Sequence, residues 1–416
     1  MNEVAITRDQ LKTAIDEALA RVEVVDMHTH LFPAEFSGML LWGIDEVLTY
    51  HYLIAEYFRC SQMDCDRFFT LPKARQAELV WQALFLERSP VSEAQRGVLT
   101  ILQKLELDVG ARSLDSYREY FRSLKLEEHI DNVFRLAGVQ EVVMTNDPFD
   151  PQERSFWKEG AEVDPRFRAA LRIDPLLVNY PEAAKMLQAE GYEVDRDLGG
   201  NSAAEVRRFL KDWAQRIRAL YMAASLPPNF SVSDDSLGTR VLKECILPAC
   251  AELNIPMAMM IGVKRQVNKE LRLAGDSLGR AEIGAVERLC AEYPENKFLV
   301  TMLSRENQHE LAIAARKFRN LLVFGCWWFL NNPSLIEEIT AIRLETLGLS
   351  FVPQHSDARV LEHLIYKWDH SRGVIGQVLL RKYEDLLATG WVLTEEEIAR
   401  DVAQLFQGNF RDFVGR

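Results

Sequence analysis

The chain is poor in several features that would otherwise fix a class. No two of its six cysteines (Cys60, Cys65, Cys245, Cys250, Cys290, Cys326) form a Cys-x-x-Cys pair. The start, Met1-Asn2-Glu3-Val4, lacks a basic and apolar export signal. A reduced, cytoplasmic chain is the expectation. No apolar run approaches the roughly 18 residues of a spanning helix; the densest stretch, Ile255 to Val263, is strand-sized. Positive charge is also short. With 49 Lys and Arg against 62 Asp and Glu the net charge is −13, which excludes a nucleic-acid-coating surface and keeps copies apart by self-repulsion. A locally basic cleft for a small anion remains compatible with that balance. Internal repeats and low-complexity segments are absent too. What is present is ordinary for a folded protein, 48% hydrophobic and 27% charged over 416 residues. That length suits one large domain with an insertion, or two domains.

Against only eight histidines in the whole chain, two fall together in Val24-Val25-Asp26-Met27-His28-Thr29-His30. In a β-strand, residues i and i+2 share a face. His28 and His30 therefore project side by side from a strand end, a geometry suited to a divalent metal held by two imidazoles. Two histidines meeting ordinary hydrogen-bond partners is the bland alternative. Asp26 is either an acceptor for a ligating imidazole or a plain buried cap.

Residues 8 to 21 carry Leu11, Ile15, Ala18 and Leu19 at helical spacing and lead into a first strand, Val22 to Met27. A helix-rich stretch follows over 34–137, including Asp45 to Arg59, Ala74 to Glu87 and Ser116 to Arg122, and reads as an insertion with its own small core. From 141 the pattern changes to short apolar runs alternating with helical stretches. The runs are Glu141–Met144, Ala169–Ile173, Tyr221–Ala224, Pro256–Ile261, Lys297–Thr301, Leu321–Gly325 and Ser350–Pro353. Apolar runs without alternation fit parallel strands covered on both faces. With the first strand they number eight, which predicts a (β/α)₈ TIM-type barrel with a long helical insertion after strand one and a helical tail from 360. An open doubly wound sheet is the competitor, but no glycine-rich phosphate loop follows any strand. Trp368, Tyr383, Trp391 and Leu405 are the expected packing anchors of the tail.

Chemistry in such a barrel lies at the carboxyl ends of the strands. Those ends carry His28-Thr29-His30, Thr145-Asn146-Asp147-Pro148, Arg172-Ile173-Asp174-Pro175, Ser225, Gly262-Val263-Lys264, Ser304 to Asn307, Cys326-Trp327-Trp328 and Gln354 to Arg359. Caps and turns account for Asp147, Asp174 and Asn307 as well as function does. Strands one and eight are neighbours in a closed barrel, so Asp357 faces His28 and His30 and completes a shell of two imidazoles and one carboxylate. A two-metal site would want an acid or lysine after strand four and histidines after strands five and six. Ser225 and Lys264 occupy the first two places, and His309 lies inside the next helix; one metal is expected. Arg172 and Arg359 reach the same rim and suit a carboxylate substrate, unless they pair with Asp174 or Glu362. His51-Tyr52 lies on an insertion helix that can drop over the barrel mouth. His129, His363 and His370 read as surface or packing residues, and His355 stands behind Asp357 as a supporting candidate.

Taken together, Asp-Met-His-Thr-His-Leu-Phe at 26–32, Leu-Thr-Tyr-His-Tyr at 48–52, Arg172-Ile-Asp-Pro, Cys326-Trp327-Trp328 and His-Ser-Asp-Ala-Arg at 355–359 resemble the uronate isomerase family of the amidohydrolase superfamily. The resemblance covers essentially the whole chain as a single metal-dependent barrel domain, with 34–137 contributing to the active site. It implies an aldose–ketose isomerase interconverting D-glucuronate with D-fructuronate and D-galacturonate with D-tagaturonate. It also implies one divalent metal, zinc, on His28, His30 and Asp357. Asp357 would then move a proton between C2 and C1 through a cis-enediol, a hydride shift being the other route. His51 would assist ring opening, Tyr52 would donate to the carbonyl oxygen, Arg172 and Arg359 would grip the sugar acid, and Trp327 and Trp328 would wall the ring. Partners would be hexuronates, with self-association of the chain left open, and neither nucleic acid nor membrane. A metal-dependent hydrolase of a sugar-acid lactone or ester, and a non-catalytic sugar-acid binder, are the competing readings.

Overall fold

The computed structural model of the chain describes residues 6–36, 38–160 and 162–415. Strands β1 (Val24–Thr29), β2 (Val139–Asn146), β3 (Phe167–Arg172), β4 (Met222–Leu226) and β5 (Met257–Ile261) follow the apolar runs, as do β8 (Phe298–Met302) and β9 (Leu321–Val323). Between β5 and β8 a two-residue hairpin pairs β6 (Val263–Lys264) with β7 (Ser277–Leu278). The seven long strands form one parallel sheet in chain order, β1-β2-β3-β4-β5-β8-β9. Every residue of β5 and β8 is buried, as apolar strands covered on both faces require.

The fold is the TIM-type barrel, but its eighth stave is irregular. Ser350–Pro353 forms no strand; a single bridge joins Phe324 to Val352. Closure comes from the segment that follows, where Asp357 N donates to His28 O at 3.1 Å and His30 N to Ala358 O at 2.7 Å. Pro353 has no N–H to give and Asp357 carries a positive φ of 51°, so this stretch cannot run as a regular strand. Inside the barrel, Val25, Met27, Val143, Ala170, Ala223, Ala258, Leu299 and Phe324 form a core joined by Phe410 and Val414 of the tail.

Between β1 and β2 the chain is helical. The expected helix from Asp45 to Arg59 is two, Ile44–Leu48 and His51–Cys60, broken at Thr49-Tyr50. Helix Lys73–Trp81 widens into a π turn over Gln82–Leu86. Some helices start on polar caps: Asp150 accepts from Glu153 N ahead of Pro151, and Thr394 forms a capping box with Glu397. In the tail, Trp368, Tyr383 and Leu405 are buried, whereas Trp391 is 59% exposed and anchors nothing. Trp391 sits in the turn after helix His363–Ala388, beyond the face that helix packs. All six cysteines are free thiols, and no helix among the described residues is long and apolar enough to cross a membrane.

Candidate active site

His28, His30 and Asp357 converge at the carboxyl end of the barrel, each offering a ligand atom within 4.8 Å of the other two. His28 Nε2 lies 3.8 Å and His30 Nε2 3.2 Å from Asp357 Oδ1. The hydrogen-bond network behind the rings fixes their tautomers. The Tyr221 hydroxyl donates to Met27 O and therefore accepts from His28 Nδ1–H at 3.3 Å. The Thr145 hydroxyl donates to Thr29 O at 3.0 Å and accepts from His30 Nδ1–H at 2.7 Å. Both Nε2 atoms are left as lone pairs. Burial, reinforced by neighbouring positive groups, lowers His28 to about 3 and His30 to about 4, so the rings stay neutral.

Burial opposes ionisation of Asp357, but surrounding positive charge, that of Lys367 included, outweighs it and holds the carboxyl well below its usual range. Three electron-rich atoms thus face one another with no proton among them, and Asp357 Oδ1 is buried without a hydrogen-bond partner. A divalent cation resolves that arrangement; the donor set fits one.

The cleft above this triad is lined by His51, Arg172, Trp327, Trp328 and Arg359 from the sequence-derived set. Tyr52 stands beside it, its ring 4.5 Å from that of His51, but does not line the cleft; Tyr50 does. His51 Nε2, the Tyr52 hydroxyl and Trp328 Nε1 are all buried and unpartnered. Burial, with Arg359 adding to it, lowers His51 to about 3, and burial raises Tyr52 well above its ordinary value. Arg172 is held by Asp174, with Nε 3.0 Å from Oδ2, while Asp174 also takes Ser225 N. Among the described residues Arg359 has no acid within 4 Å. Glu362, its suggested partner, is committed to His129 Nε2 at 2.8 Å and Gly43 N.

Several residues sit where spacing alone did not put them. Asp26 accepts from Ser356 N (3.0 Å) and Trp368 Nε1 (2.8 Å), not from an imidazole; burial raises it to about 6. It ties β1 to the tail helix, and Tyr221 and Thr145 take the orienting role. His355 is fully buried with both nitrogens unpartnered and its ring 5.5 Å from that of His28, hydrogen-bonded to neither ligand. His129 and His363 are buried packing residues, and His370 bonds Thr100 and Glu93. Sequence reasoning missed Arg265, which lines the cleft and pairs with Asp276 at 2.7 Å. Lys367 was also missed, and burial lowers it to about 8. Arg265 lies one residue past Lys264 at the fifth strand end; the basic pair there was the available signal.

Comparison with solved structures places this architecture. A uronate isomerase from Bacillus halodurans C-125 is 54% identical, with a TM-score of 0.98 over 99% of this chain and 98% of that one. A uronate isomerase from Thermotoga maritima (16% identity, TM-score 0.77, 99% of each chain) and a glucuronate isomerase from Caulobacter crescentus (15%, 0.77, 98% and 94%) share the fold. No protein-family model matches the chain, and no curated protein does.

Proposed function

The chain belongs to the uronate isomerase family, and on that footing we propose that it interconverts D-glucuronate with D-fructuronate and D-galacturonate with D-tagaturonate. One observation carries the reading. Asp357 Oδ1, His51 Nε2 and Trp328 Nε1 are buried without partners around one cleft, beside the Arg359 guanidinium, and the Tyr52 hydroxyl is unpartnered next to it, behind His51. Folded proteins leave few such atoms unsatisfied, and the hydroxyls, carbonyl and carboxylate of an open-chain hexuronate match them in kind.

Neutral His51 accepts the ring hydroxyl's proton and returns it to the ring oxygen, freeing the aldehyde. Arg359 and Arg172 hold the sugar acid, the second pre-set by Asp174. Trp327 and Trp328 form the wall that keeps water from the reacting carbons. With Oδ1 of Asp357 turned to the imidazoles, its other oxygen removes the C2 proton. The C2–H pair becomes the C1–C2 double bond as the carbonyl pair moves onto O1, which takes the Tyr52 proton to give the cis-enediol. In the second half, the O2 proton passes to the Tyr52 oxygen, C2–O becomes the ketone, and Asp357 returns its proton to C1. A divalent metal held by His28, His30 and Asp357, which we take to be a single zinc, supplies Lewis-acid polarisation and positioning of substrate oxygens when bound. The whole chain acts as one barrel domain in the cytoplasm, with 34–137 as the part that brings His51 and Tyr52 to the mouth.

The test is turnover of each uronate before and after chelation. Ketose formation that falls on chelation and returns with zinc is expected. A hydrolysed lactone or ester with no ketose from either uronate would favour the hydrolase reading instead.

A further inference from the structure

Lys367 is almost fully buried, at 2% exposure, in the first turns of the helix His363–Ala388. Among the described residues it has no acid within 4 Å, and its one hydrogen bond goes to Ser356 O. Taking an ammonium out of water without a carboxylate partner is strongly unfavourable, so a lysine in such a place calls for a function.

The peptide it holds is the one that aims Asp357. Its carbonyl accepts from Lys367, and its N–H, that of Asp357, donates to His28 O at 3.1 Å. Ser356 N is taken by Asp26 Oδ1 at 3.0 Å, and Ala358 N by Ser356 Oγ at 3.1 Å. The next residue on the helix, Trp368, holds the other oxygen of Asp26 at 2.8 Å. Successive residues of one helix therefore grip the turn from two sides. That turn needs gripping, since Asp357 sits at φ 51°, a left-handed backbone that is strained for a non-glycine residue. Lys367 Nζ also lies 5.9 Å from the centroid of the Tyr52 ring, so one side chain stands near two of the three groups that handle protons in the reaction.

We propose that Lys367 is a positioning residue for the isomerisation: by holding the Ser356 carbonyl it fixes the turn that points Asp357 at His28 and His30. This rests on the reading of Asp357 given above.

The sign of one measurement separates positioning from charge. An ammonium beside a cation site repels the cation, so if Lys367 acted by charge alone its removal would tighten metal binding. If it acts by positioning, removal loosens it. The experiment compares Lys367→Met, which loses donor and charge, with Lys367→Gln, which keeps a neutral donor. Zinc affinity is read by chelator competition alongside kcat and KM. For Lys367→Met we expect zinc affinity about 10-fold weaker and kcat lower by about 100-fold, with KM little changed. Lys367→Gln should recover much of both losses. Tighter or unchanged zinc binding in the Met variant overturns the proposal, and so does a Gln variant as damaged as the Met one. If the Met variant does not fold, the Gln variant decides alone: zinc binding tighter than the parent's with lowered kcat means charge, and parent-like values mean positioning. Asp357→Asn is the control on the underlying reading. If it leaves zinc affinity and turnover intact, that reading fails. If it abolishes both while Lys367→Met changes neither, only the role of Lys367 falls.

Discussion

Replacing Thr145 with valine should weaken the metal site without touching a ligand. The hydroxyl lies 2.7 Å from His30 Nδ1 and spends its own proton on Thr29 O at 3.0 Å. It can therefore act toward the ring only as an acceptor, which keeps the imidazole proton on Nδ1 and the lone pair on Nε2. With a methyl in that place, Nδ1–H is a buried donor with no partner, at a cost of about 1–3 kcal/mol. The ring escapes by carrying its proton on Nε2, the atom the metal needs. Restoring the binding tautomer is then charged against metal affinity, and at about 1.4 kcal/mol per tenfold this is roughly 5- to 150-fold. Tyr221→Phe should cause a smaller loss, because the contact to His28 Nδ1 is longer at 3.3 Å. Zinc competition against a chromophoric chelator, with circular dichroism to confirm the fold, measures both. Thr145→Val binding zinc as tightly as the parent would refute the tautomer reasoning.

Arg359→Met should raise KM for either uronate by about 10- to 150-fold, the worth of lost charge-assisted hydrogen bonds, with little change in thermal stability because no acid among the described residues depends on it. Arg172→Met should raise KM and also lower the melting temperature, since Asp174 loses its guanidinium; steady-state kinetics beside thermal melts separates the two. Gly325→Ala places a Cβ 1.8 Å from His355 Nδ1 at a backbone φ of 63°, so a loss of about 2 kcal/mol or more is expected, read as a fall in melting temperature with weakened turnover. Burial raises Glu153 from 4.5 to about 7, so the stability contributed by its protonated form is complete below 4.5 and is lost as pH rises through 7. Glu153→Gln removes that loss, and after an amide flip Asn146 Oδ1, otherwise unpartnered, accepts from the new amide. Melts from about pH 5 to about pH 8 should show the variant gaining on the parent by on the order of 3 kcal/mol; parallel curves would contradict it.

The barrel was legible because its strands are apolar on both faces and short, a signal carried by local composition. The His-x-His pair was legible because strand parity alone puts both rings on one side, and Asp357 because closure makes the first and last staves neighbours. The eighth stave was misread as a regular strand: Val352 and Phe351 have the composition, but the left-handed turn at Asp357 is not written in residue type. The split at Thr49-Tyr50 escaped because helical spacing continues across it, although it brings Tyr50 to the cleft wall. Asp26 was offered to an imidazole on proximity in sequence, whereas its partners, Ser356 and Trp368, lie more than 300 residues away. Lys367, Tyr221 and Arg265 failed to stand out for a related reason. A lysine on a helix, a tyrosine at a strand start and an arginine in a loop become informative only when long-range packing brings them beside the site.

In the proposed reaction this chain moves a carbonyl from C1 to C2 of a hexuronate by proton transfer. Proton NMR of D-glucuronate incubated with the zinc-loaded protein in D₂O tests it most directly. The expected product is the ketose D-fructuronate, with solvent deuterium appearing at its C1. No ketose would contradict the function, and ketose that keeps all of the substrate's hydrogen would contradict the proton-transfer route through Asp357.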